Sequence, residues 1–238
     1  MATLILVRHG RTTANASGTL AGRTPGVRLD EAGERQAGRA GERLAKVPVA
    51  ALVSSPQERC RQTAKALAKA QAAAGRETPR ILTDRGLAEC DYGEWQGGAL
   101  RELAKERLWK VVQQQPSAVE FPGGESMVAM QHRAVAAVRR RDAAVEAEHG
   151  PAAVWVAVSH GDIIKSILAD ALGMHLDLFQ RIQVDPASIS IIRYTADRPY
   201  VLASNTHDGD LSWLAAKPRG RKPRRGADVG GGAGPSDS

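Results

Sequence analysis

This 238-residue sequence predicts an α/β fold with a mostly parallel sheet covered by helices on both faces. Three observations lead there. Short β-branched or apolar runs alternate with longer helical stretches along most of the chain, the arrangement that lays parallel strands under crossover helices. Aromatic residues make up only 4% of the chain while alanine is abundant, so the core is built from Val, Leu, Ile and Ala, which suits helices packed on a sheet. Finally, two of the apolar runs end alike, in His-Gly, as expected where parallel strands deliver side chains to one ligand-binding rim.

The elements follow in chain order. Thr3 to Val7 is the first strand. Asp30 caps a helix to about Lys46, because its short carboxylate can accept from the free N–H groups of a first turn. Ala50 to Val53 is the second strand, and Pro56, with its fixed φ, starts a helix to about Ala73. Arg80 to Leu82 reads as a third strand and Leu100 to Gln114 as one helix. Ser126 caps a long helix through about Glu148, Val154 to Val158 is a strand, and Asp162 lies near the start of a helix to about Leu172. Ile189 to Arg193 and Tyr200 to Ala203 complete the sheet.

Composition narrows the function classes. No apolar stretch approaches the roughly 20 residues of a membrane-spanning helix, and no basic region precedes the first apolar run as in a secretory signal. The expected compartment is the cytoplasm, with no membrane partner. Cys60 and Cys90 lie far apart in no metal-ligand spacing, so free thiols are expected, with packing roles. The net charge is +7, and residues 217–238 hold four of those charges, with six Lys and Arg against two Asp. Rich in Gly and Pro and without apolar period, that tail is expected to be disordered, beside one folded domain over 1–216. It reads as a solubilising extension. The alternative, a non-enzymatic module binding nucleic acid or a partner through the tail, is weaker, because no aromatic residue interleaves the charges to stack on bases.

The chemistry concentrates at strand ends. Arg8-His9-Gly10 closes the first strand and Ser159-His160-Gly161 the fourth, placing two imidazoles at the rim where glycine lets the backbone turn and approach a ligand. The second strand leads through Ser54, Ser55 and Pro56 to Arg59 in the first turns of a helix; Arg61 reads as exposed. Arg8 and Arg59 offer planar forks of donors matched to phosphate oxygens, and Asn15 adds a neutral donor. Glu89 and Asp91 lie among apolar and aromatic neighbours, where a desolvated carboxyl beside a phosphate dianion gains proton affinity and can protonate a leaving oxygen. A two-histidine, one-carboxylate iron site from His9, His160 and Glu89 is a rival reading. It is opposed by the fixed positive charge of the two arginines.

Arg8-His9-Gly10, Ser55 through Arg59 to Thr63-Ala64, Glu89 with Tyr92-Gly93, and Ser159-His160-Gly161 together resemble the histidine phosphatase superfamily, the phosphoglycerate-mutase-like family, over about residues 3 to 214. The resemblance implies a three-layer α/β/α sandwich with the site above the sheet. It implies that His9 becomes phosphohistidine, that Glu89 is the proton donor, and that Arg8, Arg59 and His160 hold the phosphoryl group with Asn15. The family's other branch places an aspartate directly after the second histidine. Gly161 stands there in this chain, which favours Glu89 as the acid and leaves Asp162 to cap a helix.

The implied chemistry is a metal-independent phosphomonoesterase without cofactor, acting on a small phosphate ester. His9 is neutral, its second ring nitrogen held by a backbone carbonyl, and a protonated His160 joins the arginines in stabilising the transition state. A phosphomutase using the same phosphohistidine is the alternative. The run Asp91 to Gly97 looks like the phosphatase branches, and the connection from Gly97 to Phe121 is short for a mutase lid. Gly161, Glu125, Ser126 and Asn205 are candidate substrate contacts, with His207 at the pocket rim and Arg101 and Gln113 as further specificity candidates. His132 and His149 read as surface residues of the long helix. Arg11 replaces the acidic or amide residue often found there in relatives, leaving the nearby charge open. The sequence leaves oligomeric state and substrate identity open.

Overall fold

The structure, a computed structural model, describes residues 2–215; the expected basic tail at 217–238 lies outside the described residues. In chain order the elements are β1 (Thr3–Arg8), α1 (Thr13–Ser17), α2 (Glu31–Leu44), β2 (Ala51–Ser54), α3 (Glu58–Ala73), β3 (Ile81–Thr83), α4 (Leu100–Leu103), α5 (Arg107–Gln114), α6 (Met127–His149), β4 (Val154–Ser159), α7 (Gly161–Ala171), β5 (Ile189–Arg193) and β6 (Tyr200–Thr206). The strands form one six-stranded sheet in the order β3-β2-β4-β1-β5-β6. Its first four members are parallel, and β5 runs against both β1 and β6. The mostly parallel α/β sandwich is therefore as the sequence predicts.

Alternation along the central strands builds two cores. Leu4, Leu6, Trp155 and Ala157 pack on one face with Met130, Val138, Ile163 and Ile167 of α6 and α7. Ile5, Val7, Val156 and Val158 pack on the other with Ala40, Leu44, Ala64 and Leu67 of α2 and α3. Every residue of β4 is buried, as in a strand covered on both sides.

The local signals hold at some helix ends and not at others. Asp30 and Ser126 do cap α2 and α6, accepting from the N–H groups of Gly33 and Ala129. Pro56 does not open α3; the helix begins at Glu58 with Gln57 at its cap. The expected helix over 100–114 is two pieces, α4 and α5, with residues 104–106 between them. Asp162 is not the cap of α7. His160 occupies that place without a side-chain capping bond, and the Asp162 carboxylate instead accepts from the Tyr92 hydroxyl at 2.8 Å. Among the described residues no helix is long and apolar enough to cross a membrane.

A backbone-on-backbone contact fixes where β1 ends. A Cβ on Gly10 would strike the carbonyl of Gly33, and one on Gly33 would strike the carbonyl of Arg11. The glycine after His9 is thus required by approach to the first turn of α2 rather than by approach to a ligand. The expected cost of Gly33→Ala is about 1–3 kcal/mol from overpacking against rigid backbone. Gly38→Ala, in the same helix with open space around its Cβ position, is expected to stabilise by about 0.5–1 kcal/mol. Urea unfolding of the two variants checks both signs.

Candidate active site

Three adjacent parallel strands set the site. Because β4 lies between β2 and β1, their carboxyl ends bring Ser55, His160 and His9 to one edge, with Arg8 in register with Ser159. The His9 N–H donates to the Ser159 carbonyl at 3.0 Å, and the two imidazole centroids are 5.2 Å apart at 63°. A cleft of about 200 Å³ opens here, lined by Arg8, His9, Arg59, Glu89 and Gly161 at its base.

The histidines take opposite tautomers. His9 Nδ1–H donates to the Gly10 carbonyl at 2.8 Å, which leaves the lone pair on Nε2, where Arg59 Nε–H points at 3.2 Å. His160 Nδ1 accepts from Arg59 Nη2 at 3.0 Å, so its proton sits on Nε2, within 2.7 Å of Ser55 Oγ and 3.2 Å of Gln57 Oε1. Ser55 Oγ in turn donates to Gln57. Burial, then Arg59, lowers the pKa of each ring well below the ordinary histidine value. Both are neutral at neutral pH, which corrects the expectation of a protonated His160: a ring that accepts from a guanidinium cannot also be a cation there.

Arg59 is the centre of the cluster. It is 2% exposed and reaches His9, His160 and the Gly22 carbonyl, with the Glu89 carboxyl 3.8 Å from Nη2. Arg8 donates through Nη1 to the Val184 carbonyl at 2.7 Å. Yet Arg8 Nε and Arg59 Nη1 are buried and meet no acceptor among the described residues. Unpaired buried guanidinium N–H groups are costly unless an anion completes them. A tetrahedral oxyanion between them would do so. Gly161 keeps the way open, since a Cβ there would lie 3.5 Å from Arg8 Nε.

Glu89 forms the third side. Its Oε1 accepts from the Cys90 N–H at 3.0 Å and its Oε2 is 3.5 Å from His160 Nδ1. Burial pushes this carboxyl up to about 7, against the pull of Arg59 and with the help of Asp162. The loop carrying it is pinned by two arginines that sequence reasoning missed. Arg23 donates to the Glu89 carbonyl and pairs with Asp91 and Glu125. Arg133, from α6, donates to the carbonyls of Gly86, Ala88 and Glu89 and pairs with Glu125. Arg133 could have been found as a charge beside the buried stripe Met130, Ala134, Ala137; Arg23 sits in a loop with no periodic signal.

The remaining candidates divide. Asn15 lines the cleft, but its carbonyl oxygen accepts from Thr12 in a capping box, leaving only its amide donor for a ligand. Glu125, Ser126 and Asn205 are not in the cleft wall. Glu125 is held by Arg23 and Arg133, Ser126 caps α6, and Asn205 grips Asp185 through its amide. Asn205 thereby braces the segment whose Ala187 N–H bonds the Arg8 and His9 carbonyls. His207 also faces Asp185, and exposed Arg11 pairs with half-buried Asp30. Cys60 is buried against His160 with its thiol pushed up to about 12, a protonated packing group. Among the described residues no group of three or more His, Cys, Asp or Glu is arranged to hold a metal ion.

The sequence matches the model of the histidine phosphatase superfamily, branch 1, across residues 4–207. It is 36% identical over 202 residues to a protein of Mycobacterium tuberculosis described as bifunctional, covering 82% of this chain and 50% of that one. The chain thus spans half the length of that relative. It is 30% identical over 210 residues to phosphoserine phosphatase 1 of Hydrogenobacter thermophilus, covering 86% and 92%. The structure of YhfR from Bacillus stearothermophilus superposes with a TM-score of 0.76 at 28% identity, covering 90% and 100%.

The position of Glu89 carries a stability signature. The folded chain keeps this proton until about pH 7, whereas an ordinary glutamate releases it near 4.5. Between those values the folded form binds more protons than the unfolded one, so a contribution present in full below pH 4.5 is lost as pH rises to 7. Relative to Glu89→Gln, the wild type is expected to lose up to about 3 kcal/mol across that window. Urea titrations of both proteins at several pH values test this, and parallel curves would contradict it.

Proposed function

The chain belongs to the histidine phosphatase superfamily, branch 1, and on that premise we propose that it is a phosphomonoesterase working through a phosphohistidine on His9. One observation carries the reading: a neutral His9, its tautomer held by the Gly10 carbonyl, presents Nε2 beside two buried guanidinium nitrogens whose N–H groups meet no acceptor in the described residues. A phosphoryl group seated on Arg8 Nε and Arg59 Nη1 has its phosphorus next to that lone pair. The charge on its equatorial oxygens is met by fixed donors.

His9 Nε2 attacks phosphorus as the bond to the ester oxygen breaks. Glu89, protonated up to about pH 7, gives its proton to the departing oxygen, so that an alcohol rather than an alkoxide leaves. The resulting carboxylate takes a proton from water, which attacks phosphorus and breaks the P–N bond, returning His9 and a protonated Glu89 with release of phosphate. His160, neutral and donating to Ser55 and Gln57, supplies an acceptor to Arg59 and holds that guanidinium in place. No step calls for a metal. The phosphatase named among the relatives supports the hydrolytic outcome.

His9→Ala is expected to abolish phosphate release and the acid-labile phosphoenzyme trapped after a brief exposure to labelled substrate; a variant of normal rate would refute the reading. Glu89→Gln is expected to slow an alkyl phosphate by roughly 10²–10⁴ but p-nitrophenyl phosphate much less, because that leaving group needs no proton. Chelator treatment is expected to leave both rates unchanged. Interconversion of 2- and 3-phosphoglycerate in place of hydrolysis would point to a mutase.

A further inference from the structure

Beyond the phosphoryl seat the cleft has walls of a different character. Leu20 and Leu100 are apolar, Thr12, Asn15 and Thr19 are neutral, and Tyr92 and Asp162 close the side next to Glu89. Arg8 and Arg59 are the cationic lining residues among those described, and both are committed to the phosphoryl group. The other nearby cations are turned away: Arg23 is spent on Glu89, Asp91 and Glu125, Arg11 on Asp30, and Arg101 is exposed beside Glu102. Asp162, by contrast, lines the cleft with one carboxylate oxygen held by the Tyr92 hydroxyl. Its other oxygen meets no donor among the described residues.

Charge then decides what alcohol can accompany the phosphate. With both histidines neutral and Glu89 carrying its proton, a bound phosphate dianion is balanced by the two arginines. The charge left over in the filled cleft is that of Asp162. A carboxylate on the leaving alcohol would add a second negative charge with no cation to meet it, at short range in a partly desolvated site. An ammonium would neutralise the one already present, and a hydroxyl would donate to it.

We propose that Asp162 is a specificity-determining residue that selects phosphate monoesters whose alcohol bears an ammonium or hydroxyl donor and no carboxylate. The inference rests on the phosphomonoesterase reading and refines it by naming the substrate class. It also gives the Tyr92–Asp162 hydrogen bond a task, since the hydroxyl fixes one carboxylate oxygen and leaves the other for the substrate. The small cleft and its two leucines limit the alcohol to a few carbons.

Matched pairs separate the effects. O-phosphoethanolamine and O-phosphoserine differ by one carboxylate; O-phosphoethanolamine and 2-hydroxyethyl phosphate differ by ammonium against hydroxyl. For the wild type, kcat/KM for phosphoethanolamine is expected to exceed that for phosphoserine by roughly tenfold or more, the worth of one charged contact. The second pair ranks the two donors. Asp162→Asn keeps an acceptor for Tyr92 and removes the charge, and it is expected to compress the first ratio to within about threefold. A wild-type ratio near one, or one favouring phosphoserine, would overturn the proposal, whether or not the variant folds. So would an unchanged ratio in Asp162→Asn. p-Nitrophenyl phosphate reports the underlying reading separately: without His9-dependent release from any ester both claims fall, whereas release with a preference for carboxylated esters removes only this one.

Discussion

A buried guanidinium governs this site. Arg59 is almost wholly enclosed, and a cation taken out of water must be surrounded by acceptors or meet an anion. The chain supplies part of that demand with two imidazole lone pairs and the Gly22 carbonyl, and leaves Nη1 unmet among the described residues. Several properties follow from this single placement. Both rings stay neutral because burial disfavours their charged forms and each faces the same cation. The lone pair of His9 lies on the one nitrogen that the Gly10 carbonyl does not fix, where Arg59 Nε–H meets it. Glu89 stands 3.8 Å from Arg59 Nη2, about 1 Å beyond a strong ion pair, so burial rather than pairing sets its proton affinity.

The outline of the fold was legible because it is written in period and strand ends. Continuous apolar strands, the caps Asp30 and Ser126, and two His-Gly endings on strands that prove to be neighbours were enough to place His9, Arg8 and His160 on one rim. What escaped was set by contacts between distant segments. The helix expected over 100–114 breaks in two at residues that carry no Pro or Gly, and Pro56 lies outside α3 because Gln57 is drawn toward Ser55 and His160. Asp162 looked like a cap, since an acid early in a helix usually is one; its partner, Tyr92, is 70 residues away.

The acid loop shows the same division. That Glu89 would lie in a partly dry environment could be read from its neighbours. That Arg23 and Arg133 would clamp its backbone from two sides could not, because neither residue is close to it in sequence and arginines on helices are ordinarily solvated. Glu125 and Ser126, which the sequence offers as substrate contacts, belong to this clamp and to a helix cap. Their contribution passes through the backbone of residues 86–91 rather than through any bound molecule.

The interlocked glycines at 10 and 33 reach further than stability. Since the strand end that carries His9 meets α2 through bare peptide groups, and Thr63 Oγ1 accepts from the Gly10 N–H on the other side, few side-chain exchanges at that seam could tilt His9 by small steps. Variation in what the cleft admits would therefore have to run through the opposite wall, at Thr19, Leu20 and Leu100, while the floor beneath His9 is held still.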